Sequence, residues 1–277
     1  MISTLLFVFG SLTILKIVFE GVHILKSCIS QQITGNRAWA LVTGGSEGIG
    51  LGIAEYLASR NFNLILVSRN PSKLLSAKSH LSTYPTEVVC FPYDLSLSSP
   101  SEFLKFKQSL PTQEISLIVN NAGISFTNLF TQHSAEQVIS MLSLNIWPVV
   151  FLTKLFPNAK IVNISSTASI NPTPGLSVYS ATKAFIHCFT CVLASERSNV
   201  LSHQCAYVET EMTKRIKFKP LVILPQNVGK DLFRGLGKVS YTFGHWKHQI
   251  LGSLLKVLPA AFTSNSLFKK IKTRPLT

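Results

Sequence analysis

Tyr179 and Lys183 stand four positions apart in Tyr179-Ser180-Ala181-Thr182-Lys183, and Ser166 lies thirteen positions before the tyrosine. On a helix, residues at i and i+4 share a face. A helix opening near Tyr179 therefore stacks a phenol and an ammonium one turn apart. A neighbouring ammonium favours the phenolate, which makes a group that ordinarily titrates near ~10 usable as an acid at neutral pH. A serine hydroxyl brought in from a separate element is a second donor for an oxygen on which charge develops. The same spacing also describes an ordinary turn of amphipathic helix, so the rest of the chain decides between the two readings.

These side chains need a scaffold. The length of 277 residues suits one large α/β domain or two small ones. A hydrophobic content of 46% excludes a disordered chain, and the charged fraction of 14% is low for a freely soluble enzyme. The net charge of +14 invites a nucleic-acid reading. No zinc-finger spacing or aromatic RNA-binding signature accompanies it. The lysines sit near the ends of apolar stretches, which fits an anionic membrane surface better and leaves no nucleic-acid partner expected. The five cysteines are Cys28, Cys90, Cys188, Cys191 and Cys205. An odd count in a long chain is no disulfide framework, and Cys188-x-x-Cys191 has no second pair or histidine at metal spacing. The two are read as small packing residues, His187, His245 and His248 as structural, and no metal site is expected.

Residues 5–19 are almost wholly apolar, with Lys16 the only charge. No positive start or small-residue cleavage site marks a signal peptide. Residues 2–29 supply the ~20 apolar residues of a membrane span if Lys16 or Glu20 faces protein or snorkels; a helix lying in the interface is the alternative. Residues 1–30 are taken as a membrane anchor and 36–277 as one domain. In that domain apolar strand-like runs at Trp39–Val42, Leu64–Val67, Val88–Phe91, Leu117–Val119 and Ala159–Ile164 alternate with helical patterns. The helices fall at Ile49–Arg60, Ser72–Leu81, Ser101–Leu110, Ala135–Phe156 and Tyr179–Glu196. That alternation predicts a Rossmann-type, doubly wound parallel α/β sheet with helices on both faces.

The first strand runs into Thr43-Gly44-Gly45-Ser46-Glu47-Gly48-Ile49-Gly50, which opens a helix. Glycines there permit a tight turn and close backbone approach, and free N–H groups at the helix start meet a pyrophosphate. Thr43, Gly44, Ser46, Gly48, Ile49 and Gly50 are thus candidate cofactor contacts. The second strand ends at Val67-Ser68-Arg69, where an NAD enzyme places an acid for the ribose 2′-hydroxyl. No acid is present, and Arg69 suits a 2′-phosphate, which points to NADPH. Asp94 and Leu95 follow the third strand, near where an adenine would lie. Asn120-Asn121-Ala122-Gly123 ends the fourth strand, at the carboxyl edge where such sheets bind ligands.

Thr43-Gly44-x-x-x-Gly48-Ile49-Gly50, Asn120-Asn121-Ala122-Gly123, Asn163-Ile164-Ser165-Ser166 and Tyr179-x-x-x-Lys183 occur in the order of the short-chain dehydrogenase/reductases. From about residue 38 the chain resembles that family. Within it the chain looks most like the branch of membrane-bound very-long-chain 3-oxoacyl-CoA reductases, also called estradiol 17-beta-dehydrogenase 12. The closer signals are Arg37 to Gly44, Leu66-Val67-Ser68-Arg69 and Ala206-Tyr207-Val208-Glu209-Thr210. The tail adds Gly244, Leu258-Pro259 and Lys272-Thr273-Arg274.

The resemblance implies NADPH-dependent reduction of a long-chain 3-oxoacyl-CoA, or another lipid ketone, at the endoplasmic reticulum membrane. It gives Tyr179 the role of proton donor and Ser166 that of holding the carbonyl oxygen. Lys183 would bind the ribose and keep Tyr179 acidic, and Asn145 would hold a water that feeds Lys183. Asn121 and Gly123 would border the cofactor, and Val208 and Thr210 would meet its nicotinamide amide. Residues 211–262 would cover the substrate cleft.

Reduction of a steroid, retinoid or ketosphinganine on the same scaffold is the nearest alternative, and a decayed NADPH-binding membrane scaffold the next. Two departures bear on this. Only 21 positions separate Asn145 from Ser166, fewer than in most of the family, which leaves the family-type homodimer open. Cys205 stands where the family prefers proline. The stretch from Trp246 to Phe262 reads either as an amphipathic membrane helix or as a helix packed over the cleft, followed by Lys269, Lys270, Lys272 and Arg274.

Overall fold

The computed structural model describes residues 2–29, 33–96, 99–112, 114–214 and 219–257. The basic tail lies outside them.

Seven parallel strands form one sheet in the order β3-β2-β1-β4-β5-β6-β7. They are β1 (Trp39–Thr43), β2 (Asn63–Ser68), β3 (Val88–Pro92), β4 (Ile115–Asn120), β5 (Lys160–Ser166), β6 (Val200–Cys205) and β7 (Tyr241–Thr242). Successive side chains of a strand point to opposite faces. Ala40 and Val42 accordingly enter one apolar cluster and Leu41 the other. The first cluster takes in α2 (Gly48–Ser59), α3 (Pro71–Leu81) and α7 (Pro225–Asp231). The second takes in α4 (Pro100–Ser109), α5 (Ala135–Leu155) and α6 (Ser177–Glu196). Both faces are covered, so the strands read as nearly continuous apolar runs.

Helix starts are set by local chemistry. Asn70 caps α3 by accepting from Lys73 N, and Ser99 and Ser134 form reciprocal capping boxes with Glu102 and Gln137. Pro71 and Pro100 occupy the first helical positions, one residue earlier than the apolar pattern predicts. Helix α5 has 21 residues and ends at Leu155, five positions before β5 begins at Lys160. Lys107 Nζ donates to Leu155 O at 2.8 Å there, a cation at a helix C-terminus. By length and composition α5 is apolar enough to cross a membrane, but Met141, Leu144, Pro148, Val149 and Leu152 bury its inner face in the domain.

Strands β6 and β7 escape the sequence pattern. In β6 the three middle residues, Ser202, His203 and Gln204, are polar yet buried, and β7 has two residues.

The N-terminal helix α1 (Ile2–Cys28) is attached to the domain at its C-terminal end. Ser27, 1% exposed, donates to Ile24 O and to Gln249 Oε1, and Gly235 N donates to Ile29 O. Glu20 pairs with Lys256 at 2.8 Å, and His23 stacks on Tyr241 with ring centroids 4.1 Å apart. Lys256 and Gln249 belong to α8 (Trp246–Val257), whose inner face buries His248 and Gln249 and whose outer face exposes Trp246, Ile250 and Leu254. The described part of the tail is thus packed on the fold and keeps an exposed apolar side.

Leu41, fully buried at the centre of β1, has no room to relax. Leu41→Ala is expected to lower unfolding free energy by about 3 kcal/mol in denaturant titration. Leu75→Ala, at a side chain 63% exposed on α3, is expected to stay within about 0.5 kcal/mol.

Candidate active site

Helix α6 starts at Ser177, so Tyr179 and Lys183 do lie one turn apart. The Ser166 hydroxyl reaches them from the end of β5. It lies close enough to the Tyr179 phenol to favour the phenolate, and it accepts from Ala168 N at 3.1 Å as the cap of a short 3-10 turn. Lys183 Nζ lies 5.7 Å from the Tyr179 ring centroid and donates to Ile164 O at 2.8 Å. Ser165 Oγ donates to Lys183 O at 2.9 Å, fixing the turn of α6 to β5.

Asn145 projects from α5 behind this pair and is fully buried. Its Oδ1 accepts from Ile124 N at 2.9 Å, and its Nδ2 donates to Ile124 O and to Thr182 Oγ1 at 3.0 and 3.1 Å. Thr182 in turn donates to Tyr179 O at 2.7 Å. Gly123 borders both Asn145 Oδ1 and Lys183 Nζ. Serine, tyrosine, lysine and asparagine, drawn from three elements, therefore form one cluster.

In the protein alone, burial dominates the titration of both groups. Enclosure by protein pushes Tyr179 up to about 12, against the opposing effect of Ser166, and pushes Lys183 down to about 8. Cys205, 4% exposed at the end of β6, is close enough to couple to both and is itself pushed up to about 12 by burial. It is a neutral thiol beside the pair.

The glycine-rich turn joins β1 to α2 at the point where strand order reverses. Thr43 ties its root: the hydroxyl accepts from Asn121 N and Ala122 N at 2.9 and 3.0 Å and donates to Val119 O. Asn121 Nδ2 donates to Thr43 O and Gly44 O. A Cβ on Gly50 would meet Asn121 Nδ2 at 2.7 Å and collide with Gly44 O. Gly48 has φ +55°, and a Cβ there would meet Thr210 Cγ2 at 3.2 Å. The turn is a cradle with room for backbone alone, opening the N-terminus of α2. That fits an anionic, pyrophosphate-sized group.

At its rim the buried Ser46 donates to Ser68 Oγ at 2.9 Å. Arg69 and Asp94 are both exposed, 4.0 Å apart, and Asp94 also accepts from Ser96 N and Oγ. Leu95 and Val208 place their side chains in the apolar clusters, so only their backbones could border a ligand. Thr210 stands beside Gly48, and Ile49 is half-buried at the start of α2.

A family model described as short chain dehydrogenase matches residues 38–220. The chain belongs to the short-chain dehydrogenase family. It is 34% identical over 239 residues to the inactive hydroxysteroid dehydrogenase-like protein 1 of Pongo abelii, covering 80% of this chain and 72% of that one. It is 29% identical over 276 residues to a very-long-chain 3-oxoacyl-CoA reductase of Rattus norvegicus, covering 90% and 87%. A solved short-chain dehydrogenase from Sphingobium yanoikuyae, in complex with NADPH, superposes with a TM-score of 0.66 at 28% identity, covering 74% and 86%. The sheet described above is this family's Rossmann-like fold.

Several residues around the family cluster have partners that their sequence positions do not reveal. Lys73 and Glu47 form a pair at 2.8 Å beside the cradle. Asn120 Nδ2 donates to Asn163 Oδ1, and Asn163 Nδ2 to Thr190 Oγ1, so a polar relay runs from β4 through β5 to α6. The signal available for Thr182, Thr190 and His187 was their place on the inner face of α6. Gln204 Nε2 donates to His187 Nδ1 at 2.6 Å, and Ser169 Oγ donates to Gln204 Oε1 at 2.8 Å. That chain braces the 3-10 turn capped by Ser166. His248 accepts from Ala206 N on Nδ1 and donates from Nε2 to Tyr207 O, an arrangement only the neutral ring satisfies.

Burial holds His187, His203 and His248 down to about 4, about 3 and about 4, against the usual 6.5. Between pH 6.5 and 4 the unfolded chain therefore binds protons that the folded chain refuses. The stability these neutral rings allow is complete above pH 6.5 and is lost as pH falls toward 4. Urea titrations at pH 7.5, 6.0 and 5.0 are expected to give a steep acid-side loss, with His203→Asn lowering its slope by about one proton. A flat profile would contradict the buried, neutral assignment.

Proposed function

We propose that the chain is an NADPH-dependent ketoreductase acting on a long-chain, membrane-borne ketone, with a 3-oxoacyl-CoA thioester as its preferred class of substrate. The carrying observation is the convergence of Ser166, Tyr179, Lys183 and Asn145 beside a glycine cradle. Arg69, with no acid at the end of β2, supports NADPH over NADH. The name of the rat relative, the apolar run of α1 and the exposed apolar face of α8 support the substrate class and an endoplasmic reticulum membrane location.

The cofactor would lie with its pyrophosphate on the N-terminus of α2, between Gly44, Gly48 and Gly50, and would supply the hydride. The chain's own residues handle the oxygen and the proton. Ser166 and Tyr179 present two hydroxyls to one point, where a carbonyl oxygen gains charge. Tyr179, held up to about 12, stays protonated throughout the neutral range. It is still a stronger acid than an aliphatic alcohol, so transfer to the nascent alkoxide runs downhill. Lys183, at about 8, is mostly ammonium at neutral pH and stabilises the phenolate left behind. Asn145 and Thr182 hold the first turns of α6 in register with that exchange.

A second reading, a cofactor-binding scaffold without turnover, is favoured by the word inactive in the name of the Pongo abelii relative. The two readings separate in one assay. Purified full-length protein is expected to oxidise NADPH with 3-oxoacyl-CoA substrates, with kcat/KM rising with chain length. Tyr179→Phe is expected to lower kcat by at least about 100-fold while leaving NADPH binding intact. Arg69→Ala is expected to raise KM for NADPH about tenfold and leave NADH unaffected. NADPH binding with no turnover of any ketone would establish the scaffold instead.

A further inference from the structure

Away from the cluster of Ser166, Tyr179 and Lys183, the C-terminal turns of α1 and the segment entering β7 enclose a groove of about 620 Å3. Its apolar residues along α1 are Leu15, Phe19 and Val22, which are 51%, 67% and 43% exposed. Lys26 follows on the same helix, and Lys238 faces it from the domain. Residues 15, 19, 22 and 26 recur at helical spacing on one face. Both lysines are exposed, and neither side chain has a hydrogen-bond or ion-pair partner among the described residues. The one acid in the groove, Glu20, is already held by Lys256 at 2.8 and 3.0 Å. His23 is fixed by its stack on Tyr241. The groove is thus apolar toward the start of α1 and cationic toward its end.

We propose that this groove seats one anionic phospholipid, with an acyl chain along Leu15, Phe19 and Val22 and the headgroup phosphate between Lys26 and Lys238. Dimensions agree with that occupant. The eleven residue steps of helix from Leu15 to Lys26 rise about 16 Å, close to the ~15 Å of one hydrocarbon leaflet. Two ammonium groups without a counter-ion match a headgroup carrying net negative charge, and a zwitterionic lipid would leave that charge uncompensated. A free phosphate would satisfy the lysines but leave the apolar wall in water. The proposal depends on the membrane reading of α1 for the supply of lipid, and the binding measurement itself is made in detergent.

The test is native mass spectrometry of the full-length protein in a non-ionic detergent, titrated with phosphatidylserine or phosphatidylcholine. One phosphatidylserine is expected to be retained in preference to phosphatidylcholine. The Lys26→Gln, Lys238→Gln double variant is expected to bind it about 30-fold more weakly, the effect of two lysines at a lipid surface. A control double variant, Lys105→Gln, Lys154→Gln, also removes two exposed lysines and is expected to change nothing. Thermal unfolding of each variant checks that the fold survives. Equal retention of the two lipids, an unchanged double variant, or displacement by millimolar inorganic phosphate would each overturn the site. Flotation of the same protein with phosphatidylcholine vesicles tests the membrane reading separately, so flotation without headgroup selectivity removes only this proposal.

Discussion

Lys183 sets the terms for the surrounding structure. It brings a basic nitrogen into a place where 5% of the residue meets solvent, and among the described residues no carboxylate is coupled to it. A buried ammonium is tolerated only when dipoles around it substitute for water. The carbonyl of Ile164 does part of this at 2.8 Å, and the Asn145 amide stands close by across Gly123. The remaining strain appears as a pKa drawn down to about 8, within reach of neutral pH. Helix α6 must therefore hold one position: hydrogen bonds through Ser165 and Thr190 fasten it to β5, and Thr182 ties it to Asn145 of α5. Were α6 to slide by a turn, both the ammonium and the Ser166–Tyr179 contact would be lost together.

The second constraint is the divergence of β1 and β4. Neighbouring strands whose connections leave in opposite directions open a crevice at their carboxyl ends. An open crevice leaves backbone groups to be satisfied: the Thr43 hydroxyl accepts from Asn121 N and Ala122 N, and Asn121 Nδ2 donates to Thr43 O. Because Asn121 also binds Gly44 O, the glycine turn and the exit of β4 move as one body. Any side chain at Gly50 would wedge that body apart. The cradle and the cluster of Ser166, Tyr179, Lys183 and Asn145 share this edge, with Gly123 against Asn145 and Lys183.

The parts of this arrangement that were legible in sequence are those with a local cause. Strands β1, β2, β4 and β5 are largely buried on both faces and β3 partly, so they announce themselves as apolar runs, and Tyr179 and Lys183 share a helix. Strand β6 was hidden because Ser202, His203 and Gln204 are buried with polar partners on other elements. Gln204 finds His187 seventeen positions away and Ser169 thirty-five away. No window of sequence contains such a pairing. Arg69 was legible by type, but its approach to Asp94 depends on how β2 and β3 align. Leu95 and Val208 occupy the expected segments, yet the loops that carry them turn their side chains into the core, an orientation that motif matching does not carry.

Helix α8 links two regions that sequence keeps far apart. On one side its Lys256 holds Glu20 of α1 and lies over the Tyr241 ring, with Nζ 4.3 Å from the centroid. The lysine side chain is 16% exposed and the glutamate 32%, so this pair is screened less than a surface ion pair. On the other side His248 of the same helix grips Ala206 N and Tyr207 O, at the head of the segment leading to Thr210 and the glycine cradle. Gly252 packs against the Phe243 ring closely enough to exclude a Cβ, which pins α8 to the domain between these contacts. A rigid helix fixed at three points transmits orientation. The angle of α1 cannot change without breaking the Glu20–Lys256 pair or tilting α8, and tilting α8 would strain the histidine that holds the segment beside the cradle.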